Sequence, residues 1–362
     1  MLYRTYRPTD WEHVVGQEHV VQTLQGSLLS NRIGHAYLFA GPRGTGKTTL
    51  ARIYAKSINC TASRRRPCGT CDSCVAINEG RSMDLLEIDA ASNRSIDDMR
   101  ELKETIGVAP TSSKYKIYLI DEAHMITKEA SNAFLKMLEE PPSHVIFILA
   151  TTDPMKLIPT ILSRVQRFDF KKLTQTQIVS KLTTIATAEK LTVTPEAFAL
   201  LAAASDGALR DAEVMLTKMA SHHTQGAIDE ESVRAVLGLV PVSWHAQLLT
   251  LITARDRSGA LRFVQQMQSQ GIDVDAFAKG FLEYLRQVMI AKIDRGIIDS
   301  AGLAMAETQS NTLNAFATSM DGALLVRMIQ LVTHARVQMK SSPIPALPLE
   351  LAIIELTAPV AA

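Results

Sequence analysis

Excess charge of either sign is almost absent from this chain: across 362 residues, 38 Lys and Arg offset 37 Asp and Glu. That balance argues against an independently basic nucleic-acid-binding domain. It leaves DNA contact only to a local patch or to a surface shared between subunits. Long apolar runs are also missing. Val145–Ala150 is typical of those present, far below the ~20 residues a membrane-spanning helix needs. The opening segment, Met1-Leu2-Tyr3-Arg4-Thr5-Tyr6-Arg7-Pro8, lacks the apolar core of a secretory signal, so a cytoplasmic protein with no membrane partner is expected. No internal repeat, heptad array or low-complexity tail is present. Cysteine is scarce: there are four, all between residues 60 and 74. In a reducing compartment such a cluster points to metal before disulfides.

What is there is the composition of an ordinary globular protein, 46% hydrophobic and 21% charged, which excludes a disordered chain. The length exceeds one ordinary core, so two or three domains are expected. Up to about residue 172, short apolar runs alternate with amphipathic helices. His35–Ala40, Asp84–Asp89, Ile117–Ile120 and Val145–Ala150 read as strands. One helix is expected over Thr48–Asn59 and another from Thr127, stopping at Pro141-Pro142. Apolar strands alternating with helices predict an α/β domain with a parallel sheet covered on both faces.

Beyond Phe168-Asp169-Phe170 the strand signal fades. Thr174 and Gln177 form a capping box, and Thr194-Pro195 supplies an N-cap with proline at the first helical position. These predict a small helical domain over 173–238, a linker at Gly238–Pro241, and a third, helical domain over 242–362 with a loop at Ser341–Pro345.

The first chemistry-bearing motif is Gly41-Pro42-Arg43-Gly44-Thr45-Gly46-Lys47-Thr48-Thr49, between a strand and a helix. Its glycines let backbone N–H groups turn onto phosphate oxygens, Lys47 reaches the outer phosphates, and Thr48 offers a hydroxyl to Mg²⁺. The second is the strand end at Asp121-Glu122, where a parallel sheet presents ligands. Asp121 is suited to hold Mg²⁺ through water and Glu122 to polarise an attacking water. Kinases of small molecules share the first motif, but the adjacent acid pair favours an ATPase. Thr151 and Thr152 close the next strand, and one of them is expected to orient water or sense the terminal phosphate; the spacing does not separate the two, and Thr152 is the candidate carried forward with the catalytic set. Arg164 stands on the domain edge, where only a neighbouring subunit would make it an arginine finger.

The cysteines, Cys60, Cys68, Cys71 and Cys74, stand in one insertion as C-x7-C-x2-C-x2-C. Four thiolates complete a tetrahedral zinc site with no open catalytic position. An iron–sulfur centre is the alternative, disfavoured by the lack of any redox motif. Arg64-Arg65-Arg66 in the same insertion reads as a solvated run or a phosphate contact.

Together these residues resemble the gamma/tau family of bacterial DNA polymerase III, the clamp-loader ATPases of the AAA+ superfamily. The resemblance runs through Tyr6-Arg7-Pro8, Val14–Val20, His35–Phe39, the glycine-rich loop, the four cysteines, Glu87–Ser92, Tyr118–Glu122, Leu138–Pro142, Ala150–Pro154, Ile161–Arg164 and Gly207–Ala212. It is dense over residues 3–240 and thin afterwards. It implies an AAA+ sheet domain with a zinc insertion (1–172), a helical lid (173–238) and a helical oligomerising collar (242–362). It also implies that Arg7, Pro8 and Val15 border adenine, that Arg210 senses nucleotide from the lid, and that Arg164 completes a neighbour's ATP site. The family's Ser-Arg-Cys is Ser163-Arg164-Val165 here, which keeps the arginine. The activity implied is ATP-driven opening and loading of a sliding clamp on primed DNA, with ATP, Mg²⁺ and Zn²⁺ bound. The partners implied are delta and delta-prime subunits and further copies of this chain, with the polymerase core added if a longer form exists. Asn93, Arg94, Arg100 and Lys136 are expected to face DNA. The chain ends near Glu350–Leu356 without the family's proline-rich tail, as in a short or truncated form. A non-hydrolysing scaffold would tolerate a ruined glycine loop, which this is not, and a Holliday-junction motor would lack the four cysteines.

Overall fold

The computed structural model describes all residues except 64, 93, 94, 96–101, 103, 223–225, 239, 295–306 and 359–362. Asn93, Arg94, Arg100 and Arg64 therefore lie outside the described residues, as does Leu239 in the expected linker. Two compact units form, Met1–Glu230 and Glu231–Ala362.

The first unit is built on five parallel strands: β1 (Ala36–Ala40), β2 (Leu85–Asp89), β3 (Lys116–Asp121), β4 (Val145–Thr151) and β5 (Gln166–Asp169), in the order β2-β3-β4-β1-β5. The three central strands are buried almost throughout, as strands covered on both faces must be. Alternate side chains serve opposite layers. Tyr37 and Phe39 join one core with Leu50, Tyr54, Leu119 and Ile148. Leu38 joins the other with Tyr118, Ile120, Phe134, Phe147 and Leu149. The fifth strand was not expected from the sequence. It is an edge strand of composition Gln-Arg-Phe-Asp in which only Phe168 is buried, so it carries no apolar run to read.

Helices take the positions their caps dictate. Lys47–Asn59 follows β1, and Asn59 pins its end by bonding Tyr115 through both amide atoms. Lys128–Glu139 is capped by the Thr127 hydroxyl, accepting from Ala130 N, and ends before the two prolines. The capping box at Thr174 and Gln177 opens Gln175–Ala188, and Thr194-Pro195 opens Pro195–Ala204. Together with Leu209–His222 these helices belong to the same compact unit as the sheet. The turn into that last helix is glycine-dependent. Gly207 has φ +80°, its carbonyl accepts from Leu173 N at 3.1 Å, and an added Cβ would meet Lys172 Cβ at 2.7 Å.

The second unit is helical where described. Val242–Thr253, Arg257–Ser269, Val274–Ile293, Glu307–Ser319, Gly322–Met339 and Leu347–Leu356 surround one apolar core, including Leu249, Phe277, Phe281, Leu285 and Met328. Asp256, Asp273 and Asp321 cap three of these helices. No single described helix is long and apolar enough to cross a membrane.

Candidate nucleotide site

The glycine loop leaves the C-terminal end of β1, beside β4: Gly41 N donates to Thr151 O at 3.1 Å. Gly41 has no room for a side chain, since a Cβ would stand 2.4 Å from Phe170 O, and its φ of +151° disfavours one. Gly44 packs directly on Ala208, where a Cβ would meet another at 2.9 Å. The loop and the start of the helix Leu209–His222 thus touch, which sets Arg210 over the loop's cleft.

That cleft is lined by Arg7, Pro8, Val15, Gly44, Thr45, Gly46, Lys47, Thr48, Thr49, Asp121, Glu122 and Arg210. These are residues the sequence singled out, brought together from four separate stretches. Gly41 is not on its surface but contributes a carbonyl to Lys47. Val14, Arg43 and Leu209, quoted above within motifs but given no site role, complete the wall with Tyr3, Leu50, Leu173 and Glu213, which the sequence did not single out. Gln17, almost fully buried, holds the Val14–Val15 segment in place by exchanging two hydrogen bonds with Lys171, at 2.8 and 3.2 Å.

Lys47 is only 6% exposed, and its Nζ donates to Gly41 O and Pro42 O, both at 2.8 Å. Burial pushes its pKa down, while Glu122 and Asp121 pull the other way. The Thr48 hydroxyl donates to Asp121 Oδ2 at 2.8 Å, so the hydroxyl and the carboxylate stand together as a divalent-cation pair requires. Glu122 adopts a left-handed φ of +49°, uncommon for a side-chain-bearing residue and typical of strained functional positions. Thr152 Oγ1 donates to Glu122 Oε2 at 3.2 Å, and His124 Nδ1 lies 3.5 Å from the same oxygen. Thr151 is fully buried, with its hydroxyl held by His124 Nδ1 at 3.0 Å and Asp153 N at 3.1 Å. Of the two threonines, only Thr152 bonds the acid.

Arg210 lies over the Tyr3 ring, 4.9 Å from its centroid. Burial and the charges of Arg52 and Arg210 push the Arg7 pKa down, against the pull of Glu87. Arg164 does not line this cleft; it donates to Glu139 Oε1 and Thr160 O, both at 2.9 Å. Lys136 is exposed on the helix Lys128–Glu139.

The four cysteine sulfurs all lie within 4.8 Å of one another. Cys60 and Cys74 are buried, and Cys68 and Cys71 half-buried. Cys68 N donates to Cys60 Sγ at 3.4 Å, and Cys71 N to Cys68 Sγ at 3.3 Å. Such N–H donors to sulfur favour thiolates. Backbone donation from Thr70 and Cys71 lowers the Cys68 thiol pKa to about 6. A soft, four-sulfur set with this compactness fits a tetrahedral metal. The arginine run beside it is partly engaged: Arg65 pairs with Glu12 at 2.7 Å.

The sheet order, the glycine loop, the acid pair at the end of β3 and the helical lid define a P-loop protein of the AAA+ class. Comparison with known proteins narrows the class. Residues 16–174 match the family described as DNA polymerase III, delta subunit. Residues 177–216 match the DNA polymerase III clamp loader subunit, ATPase lid domain, and residues 228–361 match DNA polymerase III subunits gamma and tau domain III. The chain is 38% identical to DNA polymerase III subunit tau of Bacillus subtilis, covering 98% of this chain and 62% of that protein. It is 41% identical to subunit tau of Escherichia coli, covering 81% and 46% respectively. With DNA polymerase III subunit gamma of Buchnera aphidicola it shares 39% identity, covering 81% and 79%. The chain belongs to the gamma/tau family of DNA polymerase III clamp-loader subunits. It spans 62% of the Bacillus relative's length and 46% of the Escherichia one's.

Proposed function

We propose that this chain is an ATPase motor subunit of a DNA polymerase III clamp loader, which binds and hydrolyses ATP to open a sliding clamp and load it on primed DNA in the cytoplasm. The observation that carries this reading is the convergence of Lys47, Thr48, Asp121 and Glu122 on one cleft, with Thr48 Oγ1 and Asp121 Oδ2 2.8 Å apart. Lys47 and the loop N–H groups bind the triphosphate, while Thr48 and Asp121 would hold Mg²⁺. Glu122 accepts the proton of the attacking water, and Thr152 orients that carboxylate. Arg7, Pro8 and Val15 border the base, and Arg210 couples the nucleotide to the lid. We read the chain in three parts: an ATPase domain over 1–172 carrying zinc on its four cysteines, a lid over 173–238, and an oligomerising collar over 242–362. Partners under this reading are delta and delta-prime subunits, further copies of this chain, the clamp and primed DNA, with Lys136 among the DNA-facing residues. A polymerase core joins if the natural chain is longer.

The test is the rate of ATP hydrolysis, titrated with delta and delta-prime subunits, then with a bacterial sliding clamp and a primed template. A rate that rises at least roughly tenfold when clamp and primed DNA are both present is expected, since charge-stabilising groups shared between subunits act only on assembly. A rate indifferent to clamp and primer overturns the loader reading.

Arg164 supplies a sharper test. It is tied to Glu139 and stands off its own cleft, so its proposed work lies in a neighbour's site. Chains carrying Arg164→Ala should hydrolyse slowly alone, as should chains carrying Glu122→Gln. Mixed in the assembled complex, the two should exceed the sum of their separate rates several-fold. A mixture showing no gain sinks the inter-subunit role.

A further inference from the structure

One acid in the cleft is unused by the chemistry above. Glu213 follows Arg210 by one turn on the helix Leu209–His222 and lines the nucleotide cleft. It is only 6% exposed, yet among the described residues no group hydrogen-bonds its carboxyl. Its carboxyl oxygens are not enclosed like those of the fully buried unpaired groups His245 and Tyr284; they open into the cleft, where a bound ligand would meet them. The same cleft is lined by Val14, Val15, Leu173 and Leu209, the last of them one turn before Glu213 on its helix; this apolar part of the lining suits a base rather than phosphate. We propose that Glu213 reads the base of the bound nucleotide, its carboxyl pairing with the N6 amino group and N1 of adenine, so that it is a specificity-determining residue. This rests on the nucleotide-binding reading above.

The chemistry is discriminating. A neutral carboxyl offers one donor and one acceptor, which matches the amino group and ring nitrogen on adenine's edge. Guanine presents two adjacent donors there, N1–H and the N2 amino group, and suits an ionised carboxylate. Protonation of one side chain thus selects between the two bases. Burial raises the Glu213 pKa to about 7, against the pull of Lys181 from the helix Gln175–Ala188 and of Arg7 from the N-terminal segment. Arg210, on Glu213's own helix, lines the cleft too, with Arg43 and Lys47 of the glycine loop and the acids Asp121 and Glu122. Because adenine favours the protonated form, ATP affinity falls as pH rises through that value.

The test is the Kd of ATP and of GTP for the full chain, measured by fluorescent-nucleotide displacement at about pH 6 and about pH 8.5. Wild type should lose ATP affinity roughly tenfold over that interval, with the ATP-over-GTP preference shrinking in step. Glu213→Gln, whose amide keeps a donor and an acceptor, should hold the preference and lose the Glu213-dependent part of the pH profile. Glu213→Leu should cut the preference roughly tenfold at the lower pH. A Glu213→Leu chain with wild-type preference and wild-type pH profile overturns the proposal, as does a wild-type preference that does not change with pH. Lys47→Ala, measured alongside, separates the two failures: ATP affinity untouched by that change overturns the nucleotide reading itself.

Discussion

Replacing Lys47 by alanine is expected to weaken ATP binding at least ~100-fold, about 2.7 kcal/mol, and to abolish measurable hydrolysis. The lysine is one of the few charged side chains in the first unit with almost no exposure. It is held at the mouth of the loop by two backbone carbonyls of that same loop. Its ammonium is therefore pre-positioned where the outer phosphates arrive, and a charged phosphate outcompetes neutral carbonyls for it. Burial opposes the charged form, while Asp121 and Glu122 favour it; an incoming triphosphate adds to the second effect. Removing the ammonium leaves the two acids facing the phosphates without a counter-charge. The fold should survive, because the change also removes a buried charge, and the unfolding midpoint should move only slightly.

Glu122→Gln gives the contrasting outcome, ATP retained and hydrolysis lost, since the amide cannot take a proton. Titration calorimetry and phosphate release separate the two variants. A Lys47→Ala chain that binds ATP as wild type does would remove the loop from the mechanism.

How much of this was legible beforehand depends on whether a residue's role is local. Four strands could be read because each carries an apolar run: Ala36–Ala40, Lys116–Asp121 and Val145–Thr151 are buried almost throughout, and the edge strand Leu85–Asp89 still offers Leu85, Leu86 and Ile88. Gln166–Asp169 could not, because its one apolar residue, Phe168, stands among polar ones and makes no run. The helix starts at Thr127, Thr174 and Thr194 were visible because capping is a contact over three residues. The glycine loop and the Asp121-Glu122 pair were visible because their function is set by spacing. The left-handed backbone of Glu122 has no sequence signal, and neither does its hydrogen bond from Thr152.

Glu213 is the instructive miss. An acid in an amphipathic helix reads as solvated. It is buried beside the N-terminal segment, whose Tyr3, Arg7 and Val14 line the same cleft and whose Leu2 N donates to Thr217 Oγ1, one turn further on, at 3.3 Å. Nothing within ten residues of Glu213 predicts that neighbour, so its role emerges only from tertiary structure. The same holds for Tyr3, which meets Arg210 from the other end of the unit.

The second large effect is expected at the cysteines. Purified chain should carry about one zinc, and Cys68→Ser combined with Cys71→Ser should remove it and lower the unfolding midpoint by roughly 10 °C. A tetrahedral zinc with sulfur at ~2.3 Å sets its ligands ~3.8 Å apart, and these four already lie within 4.8 Å of one another. Two are half-buried and two fully buried, so without metal the inner pair sits as thiols in an apolar setting, and burial pushes Cys74 up to about 12. Zinc binding would hold it as thiolate and turn that burial into folding free energy. The insertion is not an isolated knuckle. Trp11 Nε1 donates to Arg66 O at 2.8 Å, and Ile77, on the helix Asp72–Asn78, enters the same core as Leu50 and Tyr54 of the glycine-loop helix. Loss of the metal should therefore loosen one flank of that helix while the sheet persists, so ATP affinity should fall much less than with Lys47→Ala. Elemental analysis and thermal melts measure both halves. Metal-free protein from chelator-free purification, or a double variant with unaltered metal content and midpoint, would overturn the assignment.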